Sequence, residues 1–281
     1  MNPDMNPIHD KIISISKALC LILFVVACTA HPFISVAADW QETVKQGDEL
    51  YGKRAGANGK EDIDAAIKKY EEALKGIPKG DEKSLSGVYV KLAQAYFTLG
   101  AYFSNGKDEL SDLTDEGQRW AKKAKDADPE SAEAYYWLGA NLGLWRTVNK
   151  LSFRGGLTGG GIKKLFKKAA ELDPDCEYGL PNMLLADLEL SKGKLGEAES
   201  NVAKAVVAGP ELLKNQLALA KILWNKNDKE EARKTLEHIS RQSDDILPSK
   251  VLENRRTIAK AKKILEELKK GSEPDWGNAY Q

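Results

Sequence analysis

The sequence predicts an all-α solenoid of about five stacked helix pairs, ended by a C-terminal capping helix. The first observation is a recurring spaced signature: Ala66, Tyr70, Ala73 and Pro78; Gly117, Ala121, Ala124 and Pro129; Ile162, Phe166, Ala169 and Pro174; Ala198, Val202, Ala205 and Pro210. The offsets +4, +7 and +12 hold in all four units, and Ala232, Leu236 and Ile239 form a fifth copy without the proline. Residues four and seven apart share one helical stripe, and a proline five positions later stops the helix. The second is a partner helix before each of the later copies: small Ala186 and Ala220 stand 12 residues before Ala198 and Ala232. Small residues facing one another let two antiparallel helices approach closely. The third is the punctuation between partners, Gly193 in the fourth unit and Asn227-Asp228 in the fifth. Units of this kind bury their apolar faces only by stacking.

Residues 1–38 read as an export signal outside the fold. Lys11 and Lys17 precede an apolar run from Ala18 to Ala27 of 10 residues, too short for a bilayer span, which takes ~20. Two cleavage readings stay open. Val25-Val26-Ala27-Cys28 resembles a bacterial lipobox, which makes Cys28 a lipidated N-terminus. Val36-Ala37-Ala38 before Asp39 instead suits a soluble exported chain. Both readings deliver the protein to the periplasm, soluble or lipid-anchored, with membrane contact expected only through that lipid.

Of the 281 residues, 243 then remain, enough for one solenoid. Lys and Arg balance Asp and Glu at 42 each, so the field that phosphate binding relies on is missing and nucleic acid is not an expected partner. Cys176 and His238 are the sole cysteine and histidine after Asp39. An internal disulfide is impossible, and histidine-based triads and zinc sites have no material. No enzyme, metal or cofactor is implied. Cys176 reads as a small, partly buried residue and His238 as a surface or boundary one. The carboxylate pairs Glu71-Glu72, Glu230-Glu231 and Glu266-Glu267 read as charged helix faces.

Tyr135, Leu138, Gly139 and Leu142 followed by Phe166, Ala169 and Pro174, and likewise Tyr89, Leu92, Ala93 and Tyr96, stand in a pattern that resembles the tetratricopeptide repeat. The resemblance runs over roughly residues 40 to 245 and implies a solenoid domain over 39–270, with 271–281 as a tail. Proline-to-proline steps of 51, 45 and 36 exceed that family's ideal. The excess is read as loops within pairs, at 56–62, 104–112 and 152–161. Insertions in a solenoid emerge on one face, often the binding face. A last helix from Pro248 to about Lys270, with Val251, Leu252, Ile258, Ala261, Ile264, Leu265 and Leu268 on its apolar stripe, suits a cap.

An exported chain with long loops inside its pairs resembles the TatT component of TRAP-type (tripartite ATP-independent periplasmic) transport systems. The residues that bear this are Ala134 to Trp145, Ala169 to Pro174 and the closing helix Asn254 to Leu268. The resemblance implies a periplasmic partner of a solute-binding protein. The expected role is to dock that protein or to hold a small organic acid; a structural adaptor in an envelope assembly or export complex is the alternative. Homo-oligomer formation stays open.

Three residue groups are candidate sites. Gly159, Gly160 and Gly161 with Lys163 close a glycine cluster that either cradles an anion at a helix start or serves as a flexible connector. No Gly-Lys-Ser/Thr ends it, so it is not a nucleotide loop. Trp137, Asn141 and Trp145 share a stripe with Arg146 beside them, a set able to hold an organic acid or simply to pack. In tetratricopeptide arrays the first helix of each pair lines the concave groove. That register points Val90, Gln94, Phe97, Tyr136, Ala140, Met183, Asp187, Leu190, Leu217, Lys221 and Trp224 inward, a mixture suited to an apolar small ligand or a partner surface.

Overall fold

A computed structural model describes residues 39–149, 159–277 and 280. The export signal, Cys28 and residues 150–158 lie outside the described residues. Eleven α-helices follow one another among those described: α1 (Trp40–Gly52), α2 (Gly59–Leu74), α3 (Glu82–Phe103), α4 (Lys107–Ala127), α5 (Ala132–Val148), α6 (Gly159–Leu172), α7 (Leu180–Leu190), α8 (Leu195–Ala208), α9 (Leu213–Asn225), α10 (Lys229–Ser240) and α11 (Val251–Lys269). Short 3₁₀ turns at Cys176–Gly179 and Pro248–Lys250 lead into α7 and α11. The chain is an all-α solenoid of helix pairs, α1/α2 through α9/α10, each pair packed against the next.

Local chemistry sets the boundaries. Asp81 accepts from the Ser84 amide at 3.1 Å and Ser131 from the Ala134 amide at 3.2 Å, capping α3 and α5. The four signature prolines follow the ends of α2, α4, α6 and α8. Every signature side chain before them is buried, from Ala66 and Tyr70 through Phe166 to Leu236 and Ile239. Gly117, the small residue of the second copy, lies against Asn141, and a methyl group there would overlap the amide. The Asn141 amide donates to Trp137 O at 2.9 Å and to Ala93 O at 3.2 Å, tying α5 to α3.

Two expected loops prove mostly helical. The 56–62 stretch enters α2 at Gly59, and the 104–112 stretch enters α4 at Lys107. In the second, Leu110 is buried, and Glu109 accepts from the Asn105 amide at 2.7 Å in front of the first turn. Acidic side chains at a helix start favour that turn. Gly159 to Gly161 likewise form the start of α6.

The last helix caps the final pair as expected and does more. Its stripe does bury Ile258, Ala261 and Ile264 against α9 and α10. It is no simple end cap, however. Its first turns reach back to the start of the solenoid, and that reach makes the site.

Candidate functional site

Polar contacts tie α11 and its lead-in to the ends of α1 and α3 and to the turn before α7. Arg54, just after α1, donates to Ser249 O and lies 3.5 Å from Glu253, while its guanidinium covers the Tyr51 ring at 4.5 Å. Arg255 donates to Ala55 O at 2.9 Å. Arg256 donates to Ala101 O and Tyr102 O at 3.0 and 2.9 Å, at the end of α3, and stacks on Tyr102 at 4.2 Å. From the middle of the chain, Glu177 meets Lys250 and Tyr178 meets Ser249 Oγ at 2.9 Å. Glu177 and Tyr178 take left-handed backbone angles, φ 48° and 61°. Non-glycine residues hold such angles where surrounding contacts over-determine them, and here both side chains are fastened to the lead-in of α11. Burial pushes the Tyr51 phenol up to about 12. For Lys250, burial works to lower its pKa, but Glu177 and Glu253 outweigh it and the ammonium is held charged.

Beside α11 this packing leaves a half-open chamber of about 470 Å³. Met183 and Asp187 come from α7, Lys214, Leu217, Ala218 and Lys221 from α9, Tyr102 from α3, and Glu253, Arg256 and Lys260 from α11. The tail roofs it. Asp275 sits 3.3 and 3.2 Å from Lys260 and Lys263, whose ammonium groups and the Gly277 amide hold its carboxyl down near about 2. Trp276 then lies 6.4 Å from Trp224, ring centre to ring centre. Further on, the Tyr280 ring is seated against Gly143, where a methyl group would overlap it. A second, small cavity of about 30 Å³ lies among Phe97, Tyr136, Trp137 and Tyr280, and shares Tyr102, Met183, Lys214 and Glu253 with the chamber.

Charge in the chamber is unevenly compensated. Lys221 pairs with Asp187, and Lys260 and Lys263 share Asp275. Among the described residues, neither Lys214 nor Arg256 has a carboxylate within ion-pair distance. Burial pushes the Lys214 amine down to about 8, with Lys250 and Arg256 adding to that and Glu253 and Asp187 opposing it.

The sequence candidates separate into distinct places. Asp187, Lys221, Met183 and Leu217 reach the chamber. Phe97, Tyr136, Trp137 and Ala140 line the small cavity, and Trp224 stands by Trp276. Gln94 is half-buried on α3, away from both. Asn141 and Trp145 are buried in α5, with the Asn141 amide committed to main-chain carbonyls, and Arg146 lies near Tyr280. Lys163 pairs with buried Glu189 rather than facing the glycines alone. It lines an outer concavity of about 900 Å³ between α6, α7 and α8, beside the exposed Val207. Cys176 is buried.

Sequence reasoning missed Lys214, Glu253, Arg256, Trp276 and Tyr280. Lys214 had a usable signal: it sits three residues before Leu217 on the same α9 stripe that continues to Lys221 and Trp224. The other four depend on contacts made far along the chain.

Among the described residues no group of His, Cys, Asp or Glu is placed to hold a metal ion, and no helix is long and apolar enough to cross a membrane. No protein-family model matches the sequence, and no curated protein matches it. Solved structures do. A thermophilic tetratricopeptide-repeat protein of Thermus thermophilus aligns with a TM-score of 0.53 at 18% identity, over 79% of this chain and 98% of its own. PilW, a widely conserved type IV pilus biogenesis factor, aligns with a TM-score of 0.51 at 19% identity, over 84% of this chain and 96% of its own. At these identities the likeness concerns the fold. By its fold, the chain is a tetratricopeptide-type α-solenoid.

Proposed function

We propose that the protein is a non-enzymatic periplasmic solenoid that holds a small, partly apolar organic acid, working beside a solute-binding protein of a TRAP-type transport system. The observation behind this reading is the chamber. Between α11 and the helices α3, α7 and α9, the space is about 470 Å³ with apolar and basic walls, within the range of small-ligand sites, ~300–1,000 Å³. An open groove for an extended peptide would need that helix elsewhere. The transport association rests on the sequence resemblance, and the periplasmic location on the N-terminal signal.

The test is affinity capture of the protein from its own periplasm, with mass spectrometry of both co-purified proteins and small molecules. A solute-binding protein, an organic acid or both are expected; recovery of neither contradicts the reading.

A second reading, an adaptor in an envelope assembly or export complex, is favoured by the outer concavity around Val207, 83% exposed. It predicts membrane proteins in the same capture and no acid.

A further inference from the structure

The chamber has walls of two kinds, and the difference defines what fits. Met183, Leu217, Ala218, Tyr102 and Trp276 offer hydrocarbon and ring surface. Against them stand five cations, three of which are already paired, Lys221 with Asp187, and Lys260 and Lys263 with Asp275 and, for Lys263, also Glu267. Lys214 Nζ makes no hydrogen bond or ion pair among the described residues, and the Arg256 guanidinium donates only to the Ala101 and Tyr102 carbonyls. A desolvated cation without an ion-pair partner is costly, so Lys214, with the more exposed Arg256 beside it, is suited to an arriving anion. Glu253, on the same wall and paired with Arg54, repels a second negative group. The site therefore favours one anionic head on an apolar body.

Building on the small-ligand reading above, we propose that the ligand is an amphipathic monocarboxylate, its carboxylate held by Lys214 and Arg256 and its apolar body lying along Met183, Leu217 and Trp276. Lys214 also borders the small aromatic cavity, so it stands at the inner end of the chamber, with the tail residue Trp276 as the roof. Besides burial, the groups that act on its charge are Glu253, Lys250 and Arg256 from α11 and its lead-in and Asp187 from α7, while Tyr102 from α3 and Lys221 from α9 share the chamber wall. Burial lowers the Lys214 pKa to about 8; a bound carboxylate favours the protonated amine, so affinity is full near pH 7 and falls as the pH passes above about 8.

Titration calorimetry of the full chain with octanoate, 1-octanol and inorganic phosphate at pH 7 tests this. Octanoate is expected to bind at least about tenfold more tightly than octanol or phosphate. K214M should weaken octanoate about tenfold and leave octanol unchanged, K214R should retain octanoate binding, and raising the pH to 9.5 should weaken octanoate for the native chain but not for K214R. Should octanol or phosphate equal octanoate, or should K214M bind octanoate as well as the native chain, the carboxylate seat is wrong while the chamber reading survives. Should no amphiphile bind and affinity capture yield no small molecule, the chamber reading itself falls.

Discussion

Lys250 Nζ lies 2.6 Å from Glu177 Oε2, with side chains only 5% and 14% exposed, and this pair fastens the start of the last helix to a strained turn in the middle of the solenoid. Removing one partner of a buried pair leaves the other charge unpaired, at a cost of about 3–5 kcal/mol. K250M or E177Q should therefore lower stability in urea by a few kcal/mol. The Lys250 pKa is raised above the ordinary 10.5. A cation held this way stabilises the fold fully below the unfolded-chain value and loses that effect as the pH rises through the folded one. The native advantage over K250M should thus persist through neutral pH and fade only in strong alkali.

Lys214 has the opposite sign. Its folded pKa of about 8 lies below the ordinary 10.5, so the unfolded chain binds more protons between those values and stability rises across that window. The shift corresponds to about 3 kcal/mol, discounted to roughly 1–2 because Lys214 as a whole residue keeps some exposure. K214M should stabilise the ligand-free protein at pH 7 by that amount, with the gain vanishing above about pH 10. Urea unfolding at several pH values measures it. A lysine that weakens the fold yet lines a chamber fits the common trade between stability and function.

Phe166 fills the space over Gly139, where a methyl group would come within 2.6 Å of the ring. Both positions belong to the tetratricopeptide-like pattern, so F166A should cost about 3–5 kcal/mol through the cavity it leaves. A loss below about 1 kcal/mol in urea unfolding would show that this interface contributes little.

Tyr280 has its phenol pKa raised by burial in its seat against Gly143. G143A should expel the ring without unfolding the helices, because the ring belongs to the tail. Spectrophotometric titration should then find one more tyrosine ionising near pH 10, the ordinary phenol value, and an unchanged titration curve would place the ring elsewhere.

Much of this was legible because repeat packing is written locally. Ala66, Tyr70 and Ala73 share a stripe through spacing alone, and their burial follows from the stripe. The inward register brings Asp187 and Lys221 to one chamber wall for the same reason. What the sequence could not show is the closure. Arg54 and Glu253 stand 199 residues apart, and nothing near either marks it as paired; on an amphipathic helix, Glu253 and Arg256 read as solvated charges. Helix starts at Gly59 and Lys107 were hidden by the Gly and Asn residues before them, which read as loop. Tyr280 was set aside with a Gly/Pro-rich tail, since only the shape of α5 at Gly143 makes room for its ring.

Whether α11, tied back to the ends of α1 and α3, bounds a ligand chamber is tested most directly by a crystal structure of the protein with octanoate. The expected result shows Arg54 still on Glu253 and Ser249, with the octanoate chain between Met183, Leu217 and Trp276 and its carboxylate at Lys214. A structure in which α11 is released from the ends of α1 and α3, or in which octanoate sits only on the outer helices around Val207, would contradict it.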